Sequence, residues 1–196
     1  MSTRRRPRAM AHVSALALSL VLALAALAHV SAPANAAGKL PSEKQWHKDV
    51  ARVMDGSHRY IDRATRYSHK KYAINFDIDN TTIASHYRPG TAVPRVLRFA
   101  RYAKRQGVDL LFNTARAGAP LKRARAELTK AGYRVTKVCG RKSRQEPVAH
   151  GKQRCRARFI RQGFTIIANV GNHSTDFSGP KNYGRAFKLP NYGGLS

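Results

Sequence analysis

Acidic side chains are scarce in this chain, with 10 Asp and Glu against 37 Lys and Arg in 196 residues. Cysteine is scarcer still, at two. Two cysteines rule out a disulfide-dense scaffold, and in an exported chain they pair more readily than they bind metal. Few aromatics are interleaved with the basic residues and no nucleic-acid-binding motif occurs. The charge therefore reads mainly as solvated surface, open to nonspecific polyanion or cell-wall contact but not to a specific nucleic-acid partner. His47, His58 and His69 lack metal-ligand spacing and read as surface or packing residues.

The first 36 residues have the layout of a secretory signal peptide. Arg4, Arg5, Arg6 and Arg8 form a basic start, Val13 to Val30 is almost continuously apolar, and Ala34-Asn35-Ala36 supplies small residues for cleavage. A retained membrane anchor is the alternative, but the run is short and has no basic stop-transfer flank. The paired arginines raise a twin-arginine route, yet the apolar residues that usually follow them are missing, which favours the general secretory route. No cysteine sits at the cleavage region, which argues against a lipid anchor. The expected product is secreted, free of the membrane after cleavage, and about 160 residues long, one domain's worth. It keeps all ten acids and, without the four leading arginines, 33 Lys and Arg, for a formal charge near +23.

Residues 37–72 read as a helical lead-in: Pro41-Ser42-Glu43 starts a helix whose apolar face runs through Trp46, Val50, Val53 and Met54 and continues past Gly56 to Ile61 and Ala64. Residues 73–196 read as the core domain. Tyr72 to Ile78 is an extended apolar segment rich in residues that strands prefer. A repeated grammar follows: helix Val93–Gln106, Gly107, strand Val108–Phe112; helix Leu121–Ala131, Gly132, strand Tyr133–Val138; helix Gln153–Gln162, Gly163, strand Phe164–Val170. Proline near a helix start and glycine just past its end is the expected asymmetry. Three such units predict βαβ crossovers and an α/β domain with a doubly wound parallel sheet, covered on both faces.

In such a sheet the chemistry gathers beyond the carboxyl ends of the strands. The first strand ends in Asp77 and Asp79, which share a face at i and i+2. The bland reading of Asp-Asn-Thr here is an ordinary polar turn. The second strand ends in Thr114 and Arg116, the third leads to Lys152 at the start of a helix, and the fourth ends in Asn172, His173 and Asp176. Two acids, a hydroxyl, a lysine and a further acid at one rim make a coherent set for phosphoryl transfer.

This set resembles the haloacid dehalogenase (HAD) superfamily of phosphohydrolases, whose first motif Asp-x-Asp-x-Thr is matched by Asp77-Ile78-Asp79-Asn80-Thr81. Phe76 to Thr82, Thr114-Ala115-Arg116, Lys130-Ala131-Gly132-Tyr133 and Phe187-Lys188-Leu189-Pro190-Asn191 look most like the secreted acid phosphatases of subfamily IIIB, the plant vegetative-storage-protein type. The resemblance implies a HAD-like Rossmannoid core and an aspartyl-phosphate mechanism acting on a small phosphomonoester. Asp77 is then the nucleophile and Asp79, entering protonated, the acid and later the base. Thr114, Arg116 and Lys152 bind the phosphoryl group, with Lys152 offsetting its charge. Mg²⁺, a hard cation suited to oxygen ligands, is expected on Asp77, the Asp79 carbonyl, Asn172 and Asp176. Family members usually place an acid where Asn172 stands, so weaker metal affinity is expected.

Residues 82–91 occupy the family's flap position and are too few for a large cap, which leaves Tyr87 and Arg88 as either leaving-group contacts or plain loop residues. His173 is either an extra ligand or a solvent-facing loop residue. Cys139 and Cys155 are expected as a disulfide closing a loop of about 15 residues, worth ~3 kcal/mol in the chain-entropy description; two buried thiols are the alternative. Two other functions stay open: a weakened phosphate-binding, storage-like protein, which Asn172 favours, and a cationic extracellular polyanion-binding protein.

Overall fold

The apolar segments pair into one all-parallel sheet: β1 (Tyr72–Phe76), β2 (Asp109–Ala117), β3 (Lys137–Arg141), β4 (Thr165–Gly171) and β5 (Arg185–Lys188), in the spatial order β3-β2-β1-β4-β5. The computed structural model describes residues 40–66, 70–118 and 120–195. The signal-peptide reading and His69 lie outside these residues. From β1 the chain steps outward to β2 and β3, then returns to place β4 on the other side of β1. That reversal puts the switch-point crevice between the ends of β1 and β4.

Side-chain alternation divides the core into two layers. Ile74 and Phe76 of β1 and Leu110 and Phe112 of β2 join a large apolar cluster with residues of α1 (Glu43–Val53), α2 (Ser57–Ala64), α3 (Pro94–Arg105) and α4 (Pro120–Lys130). Ala73, Leu111 and Ile166 face the opposite way, onto Cys155 and Phe159 of α5 (Val148–Arg161). Continuing the β1 alternation, Asn75 and Asp77 fall on the α5 side, which is how the strand end comes to face Lys152.

Local chemistry accounts for the helix boundaries. Ser42 caps α1 by accepting from the Gln45 backbone N–H at 3.3 Å, and Pro94 opens α3. The lead-in is two helices rather than one, because Gly56 takes φ +66° between them. Both pack on α3, and their Trp46, Val50 and Ile61 are fully buried in the large apolar cluster. Among the described residues no helix is long and apolar enough to cross a membrane.

Several expected boundaries move, and one strand was not expected. The second strand does not stop at Phe112 but runs to Ala117, where it still pairs with Arg141. The third is Lys137–Arg141 rather than Tyr133–Val138; Tyr133 is a buried loop residue whose hydroxyl donates to the Thr82 carbonyl at 2.9 Å. The third core helix begins at Val148, not Gln153, so Lys152 sits inside it rather than before it. β5 carries no apolar run, burying only Phe187. Cys139 on β3 and Cys155 on α5 form a disulfide, with Cα atoms 5.7 Å apart. It tethers the strand to the helix one turn beyond Lys152.

Candidate active site

Three predicted residues meet at the switch point. The Lys152 ammonium, 3% exposed, bonds to Asp77 Oδ1 and lies 2.7 Å from Asp176 Oδ1. Its third donor goes to the Asn113 backbone carbonyl at 2.7 Å. The Asn113 side-chain amide returns a bond to the Lys152 carbonyl at 2.8 Å, so strand β2 fixes the first turns of α5 from both directions. All three ammonium donors are satisfied, as a buried charge requires.

The charge at this centre does not balance. Two buried carboxylates share one ammonium, and Asp77 is pushed up to about 6, first by burial and then by Asp176, against the pull of Lys152. Burial pulls Lys152 down, but Asp77 and Asp176 outweigh it and leave the lysine above its ordinary value. An oxygen-lined site with surplus negative charge suits a hard cation. The oxygens that could hold one are the Asp77 and Asp176 carboxylates and the Asn172 amide, with the Asp79 backbone carbonyl expected from the family resemblance. Among the described residues no group of three or more His, Cys, Asp and Glu forms a metal-holding cluster. Asn172, in the expected fourth-strand position, contributes an amide in place of an acid. Its Nδ2 donates to the Leu195 carbonyl at 3.1 Å, and its Oδ1 accepts weakly from Thr81 at 3.4 Å.

Asp79 is held apart from this centre in a second network. Arg116 grips it with two bonds, Nε at 3.0 Å and Nη2 at 2.6 Å, and Ser85 Oγ donates at 2.8 Å. The remaining guanidinium edge goes to Glu127 of α4 at 2.5 Å. Burial raises the Asp79 carboxyl, yet the Arg116 and Ser85 hydrogen bonds outweigh it and hold Asp79 below its ordinary value. The expectation that Asp79 enters protonated is therefore corrected for the resting state, in which it is a paired carboxylate. Arg116, expected to bind phosphate, has its donors on Asp79 and Glu127. Thr114 is fully buried, with Oγ1 accepting from the Arg116 backbone N–H at 3.2 Å.

The loop that carries these acids is closed by its own residues. Asn80 takes φ +53° and its Oδ1 accepts from His86 N at 2.8 Å, while Thr82 Oγ1 donates to the Asp77 carbonyl at 3.1 Å. The flap contacts weighed from sequence do not reach the site. Tyr87 donates to the Pro41 carbonyl at 2.7 Å and stacks on Trp46, and Arg88 pairs with Glu43 at 2.9 Å. His173 is part-buried, with both ring nitrogens in contact with protein: Nε2 lies 2.7 Å from the Leu195 carbonyl and Nδ1 3.1 Å from the Asn191 amide.

Sequence reasoning missed Ser85, Glu127 and Arg156. Arg156, fully buried one turn beyond Lys152, donates to the Asp176 carbonyl at 2.8 Å and to the Ser178 carbonyl, and so fixes the turn that carries Asp176. The i, i+4 spacing of Lys152 and Arg156 on one helix was an available signal.

A family model described as HAD superfamily, subfamily IIIB (acid phosphatase), matches residues 84–195, beginning just after the Asp77–Thr82 loop. Among solved structures, the chain is similar to the class C acid phosphatase from Bacillus anthracis with tungstate bound, at 18% identity and a TM-score of 0.58, over 70% of this chain and 67% of that one. A second structure of the Bacillus anthracis class C acid phosphatase gives 17% identity and a TM-score of 0.55, with the same coverage. These likenesses share the parallel-sheet fold. No curated protein matches the chain.

Proposed function

The chain belongs to the HAD superfamily, subfamily IIIB (acid phosphatase), and is a phosphatase; we propose that it is an exported, Mg²⁺-dependent hydrolase of small phosphomonoesters that works through a phosphorylated Asp77. The observation that carries this reading is Lys152, buried with its ammonium on both Asp77 and Asp176. A neutral structural role gives no reason to bury two acids against one lysine.

In the first half-reaction Asp77 forms a bond to phosphorus as the bond to the leaving oxygen breaks. In the second, water attacks phosphorus, the Asp77–phosphorus bond breaks, and phosphate leaves with Asp77 restored as a carboxylate. Lys152 offsets the charge that Asp77 and the phosphoryl oxygens share, and Thr114 donates its hydroxyl to one of those oxygens. Asp79 gives a proton to the leaving oxygen and later takes one from water. To do so it must first lose its grip on Arg116. A phosphate dianion competes for the same guanidinium edge; moving Arg116 onto the substrate releases Asp79 to take a proton from solvent at low pH. Glu127 keeps the far edge of Arg116 in place during the exchange.

Asp77, Asp176, Asn172 and the Asp79 carbonyl would hold Mg²⁺, which supplies charge stabilisation to the transferring phosphoryl group. Export rests on residues 1–36 and is tested by mass spectrometry of the N-terminus of secreted protein. The catalytic reading is tested with mature protein and p-nitrophenyl phosphate, with and without Mg²⁺, beside Asp77→Asn. Hydrolysis that needs both Mg²⁺ and Asp77 is expected, and equal rates for wild type and variant would sink the enzymatic reading. A second reading, a weakened phosphate-binding protein on the same scaffold, draws on the Asn172 side-chain amide bonded to Leu195. Phosphate binding without turnover would favour it.

A further inference from the structure

A concavity of about 410 Å³ lies between the C-terminal half of α3 and the loop after α4. Leu110 and the buried Tyr133 floor it, and Arg101, Lys104, Arg105 and Arg134 line it. Leu110 is four residues before Thr114 on β2, so the cavity sits about 13 Å back along the strand from the catalytic rim. It is a separate place, at the end of the sheet opposite the active site.

Four like charges around one hollow repel each other unless something neutralises them, and the protein does little of this itself. Among the described residues no acid lines the cavity. Lys104 alone has a carboxylate, Asp109 at 2.9 Å, and that acid also accepts from Thr136. Arg105 lies over the Tyr102 ring, 5.6 Å from its centroid. Among the described residues, Arg101, Arg105 and Arg134 have no carboxylate partner. The favourable end of the α3 dipole accounts for Lys104 and Arg105 in its last turn. It does not account for Arg101, a turn earlier, or for Arg134, on another element.

The backbone makes room for this arrangement. Gly132 has φ +95°, and a Cβ built there would stand 2.5 Å from Arg101 Nη2. Any other residue would force the guanidinium aside and strain the turn. Guanidinium forks match phosphate and sulfate oxygens two at a time. A ring of them above an apolar floor concentrates positive potential in the hollow, and its volume falls within the roughly 300–1,000 Å³ of small-ligand sites.

We propose that the cavity between α3 and α4 is a second anion site, which takes a compact polyphosphorylated anion across Arg101, Arg105 and Arg134. The test is calorimetric titration of inorganic tripolyphosphate into mature protein carrying Asp77→Asn, so that the probe is not consumed. Arg101→Gln/Arg134→Gln is compared with Lys122→Gln/Arg123→Gln, which removes the same charge from exposed positions on α4. The cavity pair should weaken binding by on the order of tenfold, the control pair by less than about twofold, and Arg101→Lys/Arg134→Lys should fall between them because it keeps charge but loses the forks. In the wild-type background the cavity pair should leave p-nitrophenyl phosphate hydrolysis unchanged. Equal weakening by both Gln pairs would mean diffuse charge, and binding indifferent to the cavity pair would place the anion elsewhere; either result, or no binding at all, overturns the proposal. Because hydrolysis is read separately, none of these outcomes decides the catalytic reading.

Discussion

Asp77 and Asp79 stand two residues apart and occupy opposite electrostatic settings. Asp77 is buried, with its side chain 8% exposed, and shares one lysine with a second acid, so its surroundings carry surplus negative charge. Asp79 has its side chain 29% exposed and is one of two acids bridged by Arg116. The first setting is fixed by strand and helix packing, and in the proposed mechanism it takes a cation and the phosphoryl group. The second is a part-exposed clasp, which the proposed mechanism opens when the phosphate of the substrate competes for Arg116. A nucleophile needs the first kind of site, and a group that must change protonation state needs the second.

The largest break in this contrast comes at Lys152. Lys152→Met strands two buried carboxylates and is expected to cost about 3–5 kcal/mol of stability, with loss of hydrolysis; chemical denaturation and p-nitrophenyl phosphate assays report the two effects. Breaking the other side, Asp79→Asn should lower kcat by roughly 10²–10⁴. The fold should survive, and the loss should be greater for alkyl phosphates than for p-nitrophenyl phosphate, whose leaving group needs less protonation. Equal losses for both substrates would remove Asp79 from the acid role.

Asn172→Asp sharpens the contrast by adding an acid to the side already in surplus. It should lower the Mg²⁺ concentration for half-maximal activity about tenfold, and an unchanged Mg²⁺ dependence would contradict the assigned ligand set. Glu127→Gln loosens the clasp from behind and should raise KM by about three- to tenfold, with kcat and melting temperature nearly unchanged. An effect on kcat alone would mean that Glu127 does not act through substrate capture by Arg116.

The smallest effect belongs to an ion pair outside both regions. Glu146 accepts from Arg154 Nε at 2.7 Å and from the Lys142 backbone N–H at 2.6 Å, and these bonds lower it from 4.5 to about 2. Its folded-state value is depressed, so its contribution is complete above pH 4.5 and is lost as pH falls through about 2. Glu146→Gln should therefore melt slightly below wild type at neutral pH and together with it near pH 2. A gap that persists at low pH would assign the effect to packing.

Much of this was legible in the chain itself. The apolar run ending at Asp77 placed the nucleophile candidate, and the helix–glycine–strand order placed Thr114, Lys152 and Asp176 at the same rim. What escaped was set by backbone contacts that side-chain polarity does not report. Asn113 to Ala117 turns polar and looks like a loop, yet it stays in the sheet because β3 pairs alongside it. Gly140 looks like a break within β3, but a Cβ there would collide with the Arg116 carbonyl, so the glycine permits the strands' close approach. Gly151 likewise disguised the first turns of α5, where a Cβ would stand 2.7 Å from Arg141 Cγ. The Arg116 clasp was out of reach for another reason. Nothing in the spacing of Asp79, Arg116 and Glu127 says that three separate elements bring them together.

The proposed mechanism turns on Asp77 carrying the phosphoryl group. Mature protein turning over p-nitrophenyl phosphate with Mg²⁺, quenched in acid and mapped by mass spectrometry, tests this directly. The peptide containing Asp77 is expected to gain the mass of one phosphoryl group, which disappears when substrate is exhausted. Turnover with that peptide unmodified and another residue phosphorylated would contradict it.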